Sequence, residues 1–160
     1  MNNTEYEYSF KVTDLTPFLK YCEDNNYEKI EESKQIKSLY KKEDKTMARI
    51  TVKENNGIIE KFFDFKDDNM SDKVLIERRE TKAICFEDDE AIFSIIDFLG
   101  YKPDKTLDRK RYVYSKENVK FELDSYNSPE IMLVVAIEGD KEQTDLVYNE
   151  LIQECSEYIK

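Results

Sequence analysis

The sequence predicts an α+β fold in which about eight mostly antiparallel strands close into a barrel, with helices packed outside. Three observations lead there. Residues 5–12 alternate strictly, placing Glu5, Glu7, Ser9 and Lys11 on one face and Tyr6, Tyr8, Phe10 and Val12 on the other. A plan of strand, helix and meander runs through the first half of the chain and returns in the second. Asp14, Tyr27 and Tyr40 recur as Asp88, Tyr101 and Tyr114, 74 positions later in each case, and Phe10, Val12 and Phe18 meet Ile84, Phe86 and Ile92 at the same offset. That shared register predicts an internal two-fold repeat.

Each element has a local reason. After the first strand, Thr16-Pro17 opens a helix, with Thr16 as N-cap and Pro17 at the first helical position. Phe18, Leu19, Tyr21 and Cys22 continue it to an expected end at Asn25 or Asn26. Residues 35–41 and 47–53 alternate about the polar turn Lys42-Glu43-Asp44-Lys45, with Arg49, Thr51 and Lys53 opposite Ile50 and Val52, which predicts a hairpin. Asn55-Asn56-Gly57 is a turn signal leading into a third strand over residues 58–66. In the second half, residues 74–86 read as one long extended stretch. Asp88 or Asp89 caps a helix carrying Ile92, Phe93, Ile95, Ile96 and Leu99, closed by Gly100. Residues 111–115, 119–125 and 131–138 are the later strands. An amphipathic helix from about residue 142 to 159 carries Leu146, Val147, Leu151, Ile152 and Cys155.

At 160 residues the chain reads as one domain over residues 1–160, long enough to bury a core without staples. A charged fraction of 38% and a mean hydropathy of -0.77 make it very polar, but nine Phe, eleven Tyr and regular apolar periodicity argue against disorder. The formal charge of -11 argues against general nucleic-acid binding, because phosphate neutralisation supplies most such affinity, while leaving room for a local basic cavity. Cys22, Cys85 and Cys155 lie far apart without metal-ligand spacing, and read as buried or idle thiols of a reducing compartment. No apolar run approaches the ~18 residues of a membrane span, and the N-terminus lacks a charged-then-apolar signal pattern. A cytoplasmic protein with no membrane partner is expected. The chain has no His, which removes Ser-His-Asp and Cys-His nucleophiles and leaves carboxylates, Lys, Arg, Tyr or a metal to carry any catalysis.

Glu5 and Glu7, two residues apart on one strand, point the same way, as a hard cation such as Mg2+ or Mn2+ requires of its oxygen ligands. The same pattern suits an ordinary strand with its charged face in water. The repeat decides between them: helices over the aromatic face turn Glu5 and Glu7 into the barrel. Lys110, Lys120, Glu122 and the run Glu77-Arg78-Arg79-Glu80 read as solvated faces or ion pairs, and Tyr40, Tyr112 and Tyr114 as packing.

The Glu5-x-Glu7 strand, the basic meander, the helix closed by Gly100-Tyr101, the run Arg109-Lys110-Arg111-x-x-Tyr114, Lys120-Phe121-Glu122-Leu123-Asp124 and Ala136-Ile137-Glu138-Gly139 come in an order that resembles the CYTH domain over essentially the whole chain. These are the triphosphate tunnel metalloenzymes, which include class IV, CyaB-like adenylate cyclases, thiamine triphosphatases, inorganic triphosphatases and RNA 5'-triphosphatases. The resemblance implies a closed, eight-stranded antiparallel tunnel in which basic side chains hold a triphosphate and carboxylates hold Mg2+ or Mn2+. It implies Glu5, Glu7, Asp124 and Glu138 as metal ligands and Arg49, Lys66, Arg79, Arg109 and Arg111 as triphosphate ligands. It singles out no separate catalytic residue.

The departures thin both signs of charge. Ser9 stands where the family has Lys, Thr51 where it has the second Arg of Arg-x-Arg, Thr81 and Ala83 where it has acids, and Ala136 where it has the first acid of the closing pair. The expected function is binding of a triphosphate-containing small molecule with metal-dependent hydrolysis or cyclisation. Nucleoside triphosphate, thiamine triphosphate and tripolyphosphate are the candidates. The alternative is a non-catalytic polyphosphate- or nucleotide-binding module that has lost part of its metal site. A homodimer is compatible with the sequence and not specified by it.

Overall fold

Strand β1 (Thr4–Val12) fixes which side of the sheet is wet. Its Tyr6, Phe10 and Val12 are buried, while Glu5, Glu7 and Ser9 line a cavity on the other side. The computed structural model describes residues 4–68 and 74–160. After β1 come α1 (Thr16–Asp24), β2 (Glu28–Lys41), β3 (Thr46–Asn55), β4 (Ile58–Asp67), β5 (Leu75–Arg79) and β6 (Ile84–Cys85). Then follow α2 (Asp89–Phe98), β7 (Lys102–Lys116), β8 (Val119–Ser128), β9 (Met132–Gly139) and α3 (Lys141–Cys155). No helix among the described residues is long and apolar enough to cross a membrane.

All strand pairs are antiparallel, in the order β5-β1-β9-β8-β7-β2-β3-β4-β6. Among the described residues the sheet has nine strands and curls into an open half-barrel, which corrects the closed eight-stranded barrel expected from the sequence. The reason lies in residues 74–86. This stretch is not one strand: five residues pair with β1, and then the chain crosses to β4, where only Ile84 and Cys85 form a ladder. Between the two edges run a single bridge, Lys66 opposite Glu80, and hydrogen bonds between Phe65 and Thr81. One short segment cannot pair along its length with both edges, so no continuous ladder seals the curl.

Two strands are longer than alternation suggests. β2 starts at Glu28 and β7 at Lys102, because their polar first halves pair with partner backbone although they carry few apolar side chains to mark them. Helix α1 starts on a Leu15 cap, not on Thr16; Asp14 Oδ1 accepts from Thr16 N at 2.9 Å and turns the chain one residue early. Helix α3 stops at Cys155, because the residues after it return to β1: Thr13 N donates to Tyr158 O, Val12 bridges Ile159, and Lys160 N donates to Lys11 O.

The 74-residue offset recurs in the backbone. Helix α1 ends on Asn26 at φ 63°, with Tyr27 N donating to Cys22 O; α2 ends on Gly100 at φ 87°, with Tyr101 N donating to Ile96 O. Gly100 takes this left-handed conformation freely, and Asn is the side-chain residue that tolerates it best. β2 and β7 pair with each other so that Gln35 faces Arg109, with Lys34 opposite Lys110 and Ile36 opposite Asp108. Exchanging the halves maps this register onto itself, so a pseudo-two-fold axis passes between Gln35 and Arg109.

The larger core lies between α1, α3 and the outer face of β1, β7, β8 and β9, with Phe18, Phe121, Leu123, Ile137 and Leu151 fully buried. Burial of each such side chain is worth roughly 1.5–3 kcal/mol. Tyr114 belongs to this core and Tyr112 packs against it. Helix α3 is pinned by Asp145 Oδ1, which accepts from Tyr6 at 2.5 Å and Tyr8 at 2.6 Å, while Tyr8 stacks on Tyr148 at 3.9 Å between ring centroids. A smaller core under α2 joins Ala48, Ile50, Phe63, Ile92, Ile96 and Tyr101, with Tyr40 against it. Cys22 and Cys155 are buried free thiols, and Cys85 is exposed.

Candidate functional site: a charged cavity in the curl of the sheet

Two-residue alternation carries one side chain in two from each strand into the hollow of the sheet. There β1 supplies Glu5, Glu7 and Ser9; β9 supplies Val134, Ala136 and Glu138; β8 supplies Lys120, Glu122, Asp124 and Tyr126. β7 adds Arg109 and Arg111, β2 adds Gln35 and Lys37, β3 adds Arg49, Thr51 and Lys53, and β4 adds Phe62, Asp64 and Lys66. Arg78 of β5, Glu80 and Ala83 complete a cavity of about 430 Å³.

At one end of it Glu5, Glu7 and Glu138 each bring a carboxylate oxygen to within 4.8 Å of the others. Cross-strand register makes the cluster, since Glu7 faces Glu138 directly across β1 and β9. Three acids in one small space cannot all ionise freely. Burial, then the neighbouring Glu5, pushes Glu7 up to about 9. Burial, then Glu122, raises Glu138 to about 7. Burial acts upward on Glu5 as well and is the largest single influence, but the ammonium of Lys66 and hydrogen bonds with Glu7, Lys66 and Glu138 together outweigh it and hold the carboxyl well below its ordinary value. Lys66 Nζ lies 2.6 Å and Arg78 Nε 3.1 Å from the same Glu5 oxygen, and Lys120 Nζ lies 2.5 Å from Glu138. Three carboxylates brought this close could serve as oxygen ligands of one hard divalent cation.

Asp124, the fourth acid expected at the metal, is not in that cluster. Arg111 grips it in a two-point fork, Nε to Oδ1 at 2.7 Å and Nη2 to Oδ2 at 2.8 Å, and Arg109 approaches to 3.5 Å. A carboxylate held this way on both oxygens is committed to guanidinium.

Of the expected phosphate ligands, Arg49, Lys66, Arg109 and Arg111 line the cavity, and Arg79 does not. Arg79 faces outward, its side chain 75% exposed, and forks onto Asp67 at 2.9 and 3.0 Å. Arg78 takes the inward place because it is Arg78, and not Arg79, that stands opposite inward-facing Glu5 in the β1–β5 ladder. Arg79 stands one residue away from the inward position, which on a strand means the opposite face, and this corrects its expected place among the phosphate ligands.

The inward cations are largely neutralised by the protein itself. Arg49 forks onto Asp64, with Nε 2.8 Å from Oδ1, and comes within 3.7 Å of Glu80. Arg111 also donates to Glu122, whose carboxyl is opposed by burial but brought down to about 2 by Arg111 and Lys120. Arg109 donates to Gln35 Oε1 at 2.8 and 3.0 Å and to the Tyr126 hydroxyl at 2.7 Å.

Several cavity residues were missed or read as solvated: Lys120, Glu122, Arg78, Glu80, Lys37 and Asp64. For β8 the signal was present, because Lys120, Glu122, Asp124 and Tyr126 share the face of an expected ligand. The departures also have a geometry. Ser9 faces Ala136 across β1 and β9, so these two departures from the expected pattern stand opposite each other. Thr51 faces Lys37 across β2 and β3, which puts a cation beside the place where the second Arg is missing.

No family model and no curated protein matches the chain. Solved structures do. A conserved hypothetical protein of Pyrococcus furiosus matches with a TM-score of 0.71 at 21% identity, covering 98% of this chain and 94% of its own. A proposed adenylate cyclase of Vibrio parahaemolyticus matches at 0.63 and 16% identity, covering 100% and 94%. The proposed adenylyl cyclase HpAC1 of Hippeastrum, described as having a dominant triphosphatase activity, matches at 0.62 and 12%, covering 94% and 87%. The fold of this chain is that of the CYTH, or triphosphate tunnel, proteins.

Proposed function

We propose that the protein binds a triphosphate-bearing small molecule in this cavity and hydrolyses it with Mg2+ or Mn2+ held by Glu5, Glu7 and Glu138. The observation that carries the reading is the meeting, in one hollow, of a three-carboxylate cluster with a wall of Arg and Lys. The proteins of like fold described as adenylate cyclases and as a triphosphatase support a triphosphate-related activity.

When bound, the ion would neutralise charge on the phosphoryl oxygens as the bond to the leaving phosphate breaks. The chain's own residues would do the positioning. Arg111, held flat by Asp124, and Arg109, held by Gln35 and Tyr126, present preset guanidinium planes to phosphate oxygens. Arg49, Lys66 and Arg78 close the opposite wall, and an incoming polyanion would replace Glu80 and Glu5 as their partners.

A second reading, a binding module without turnover, is favoured by one observation: with Asp124 taken by Arg111 and Ala136 in place of an acid, the described acids suit one cation and not two. One experiment separates the two. A panel of nucleoside triphosphates, thiamine triphosphate and tripolyphosphate is incubated with Mg2+ and with Mn2+, and orthophosphate, pyrophosphate and cyclic nucleotide are assayed separately. Orthophosphate released with metal and lost in Glu138→Gln is expected. Cyclic nucleotide with pyrophosphate would make it a cyclase, binding without products would leave the module, and neither binding nor products would refute the proposal.

A further inference from the structure

Among the described residues, every cavity cation except one has a partner within the protein. Arg49 is held by Asp64, Lys53 by Glu31, Lys66 and Arg78 by Glu5, and Lys120 by Glu138. Arg109 and Arg111 have the amide, phenol and carboxylates given above. Lys37 has no hydrogen bond and no ion pair among the described residues.

Its surroundings explain why. In the ladders Lys37 faces Thr51 of β3 and Leu107 of β7, neither of them an acid. The charged groups beyond them are mostly of its own sign: Arg109 and Arg111 from β7, Arg49 and Lys53 from β3. The acids that line the cavity with it on β4 and β8, Asp64, Glu122 and Asp124, are already bound to Arg49 and Arg111. Burial, then Arg109, Arg49 and Arg111, pushes the Lys37 ammonium well below the ordinary lysine value, with Asp64 opposing. A half-buried ammonium without a counter-charge of its own is unfavourable until an anion arrives.

We infer that Lys37 is the anchoring contact for the phosphate chain, the one cation of the cavity whose partner is the ligand and not the protein. This rests on the triphosphate reading and deepens it. Two consequences follow from the chemistry. A phosphate beside Lys37 favours the charged amine, so binding draws a proton onto it. In the absence of ligand, Lys37 works against folding, so removing it stabilises the chain.

Tripolyphosphate is titrated into the full chain by calorimetry at pH 9 without metal, in two buffers of different ionisation enthalpy, for wild type, Lys37→Met and Lys37→Arg. Lys37→Met should bind at least about tenfold more weakly, the size of one charge-assisted contact, and should melt above wild type when ligand-free. Lys37→Arg should still bind while losing the proton uptake seen in wild type, since Arg stays charged throughout. A structural role for Lys37 would instead lower the melting temperature of Lys37→Met and leave proton uptake alike in wild type and Lys37→Arg, and either result overturns the inference. Equal binding by wild type and Lys37→Met overturns it too, with the triphosphate reading intact. Failure of wild type to bind tripolyphosphate overturns both.

Discussion

The carboxylate cluster makes folding stability fall as pH rises, and the size of the fall can be worked out from Glu7. Its carboxyl moves from an ordinary value of 4.5 to about 9 in the fold. Because the folded value is the higher one, the folded chain holds a proton that the unfolded chain has released throughout the window from 4.5 to about 9, and stability declines across it. Each pH unit in that window costs about 1.4 kcal/mol, so between pH 5 and pH 7 Glu7 removes about 3 kcal/mol. For a chain of this size that is a fall of roughly 10 °C in melting temperature. Glu138, raised to about 7, steepens the same slope. Glu5, shifted the other way, has its stabilising share complete above 4.5 and adds no slope there. The assay is thermal melting in EDTA at pH 5, 6 and 7. Glu7→Gln should flatten most of the slope and melt above wild type at pH 7, and millimolar Mn2+ should restore wild type at pH 7 far more than the variant. A wild-type melting temperature that is level over this range, or a Glu7→Gln slope equal to wild type, would refute the clustered geometry.

Three further outcomes follow from particular contacts. Arg78→Ala should weaken tripolyphosphate binding about tenfold while Arg79→Ala leaves it unchanged, which calorimetry on the two variants checks directly. Asp145→Ala strands the hydroxyls of Tyr6 and Tyr8 and should lower the urea unfolding midpoint, with ligand affinity unaltered because α3 lies outside the curl. Gly139 sits at φ 141°, and a Cβ there would stand 1.9 Å from the Asn118 carbonyl oxygen. Gly139→Ala should therefore destabilise by at least about 2 kcal/mol, read as a lowered melting temperature.

How far the chain could be read without its structure depends on how strictly its strands alternate. β1 alternates without a break, so both of its faces were legible, and Glu5 and Glu7 fell where the pattern put them. The C-termini of α1 and α2 were marked by residues suited to a left-handed backbone. Arg79 failed for the opposite reason: Glu77-Arg78-Arg79-Glu80 offers two adjacent arginines and no apolar residue between them to say which points inward. Residues 28–34 and 102–110 are strands through backbone pairing and polar side-chain contacts, which apolar alternation does not record. The half-barrel's open edge depends on where residues 80–83 change partners, and Asp124's capture by Arg111 depends on register between β7 and β8. Neither is local, so neither shows in a stretch of sequence.

The pairing of β2 with β7 places Gln35 against Arg109 where the two halves of the molecule meet. In an assembly of two identical chains a symmetry axis forces like to face like: two arginines would repel there, and two glutamines would carry no charge to a ligand. Joining the halves in one polypeptide lifts that requirement. One position can become the cation and its mate the acceptor that aims it, as Gln35 Oε1 does with two nitrogens of Arg109. The same release lets one half keep Glu5 and Glu7 while the residues 74 positions on became Arg79 and Thr81. A hollow with three carboxylates clustered at one end and guanidinium and ammonium groups along its wall is inherently lopsided, and joining the halves in one chain allows a pseudo-symmetric architecture to host it.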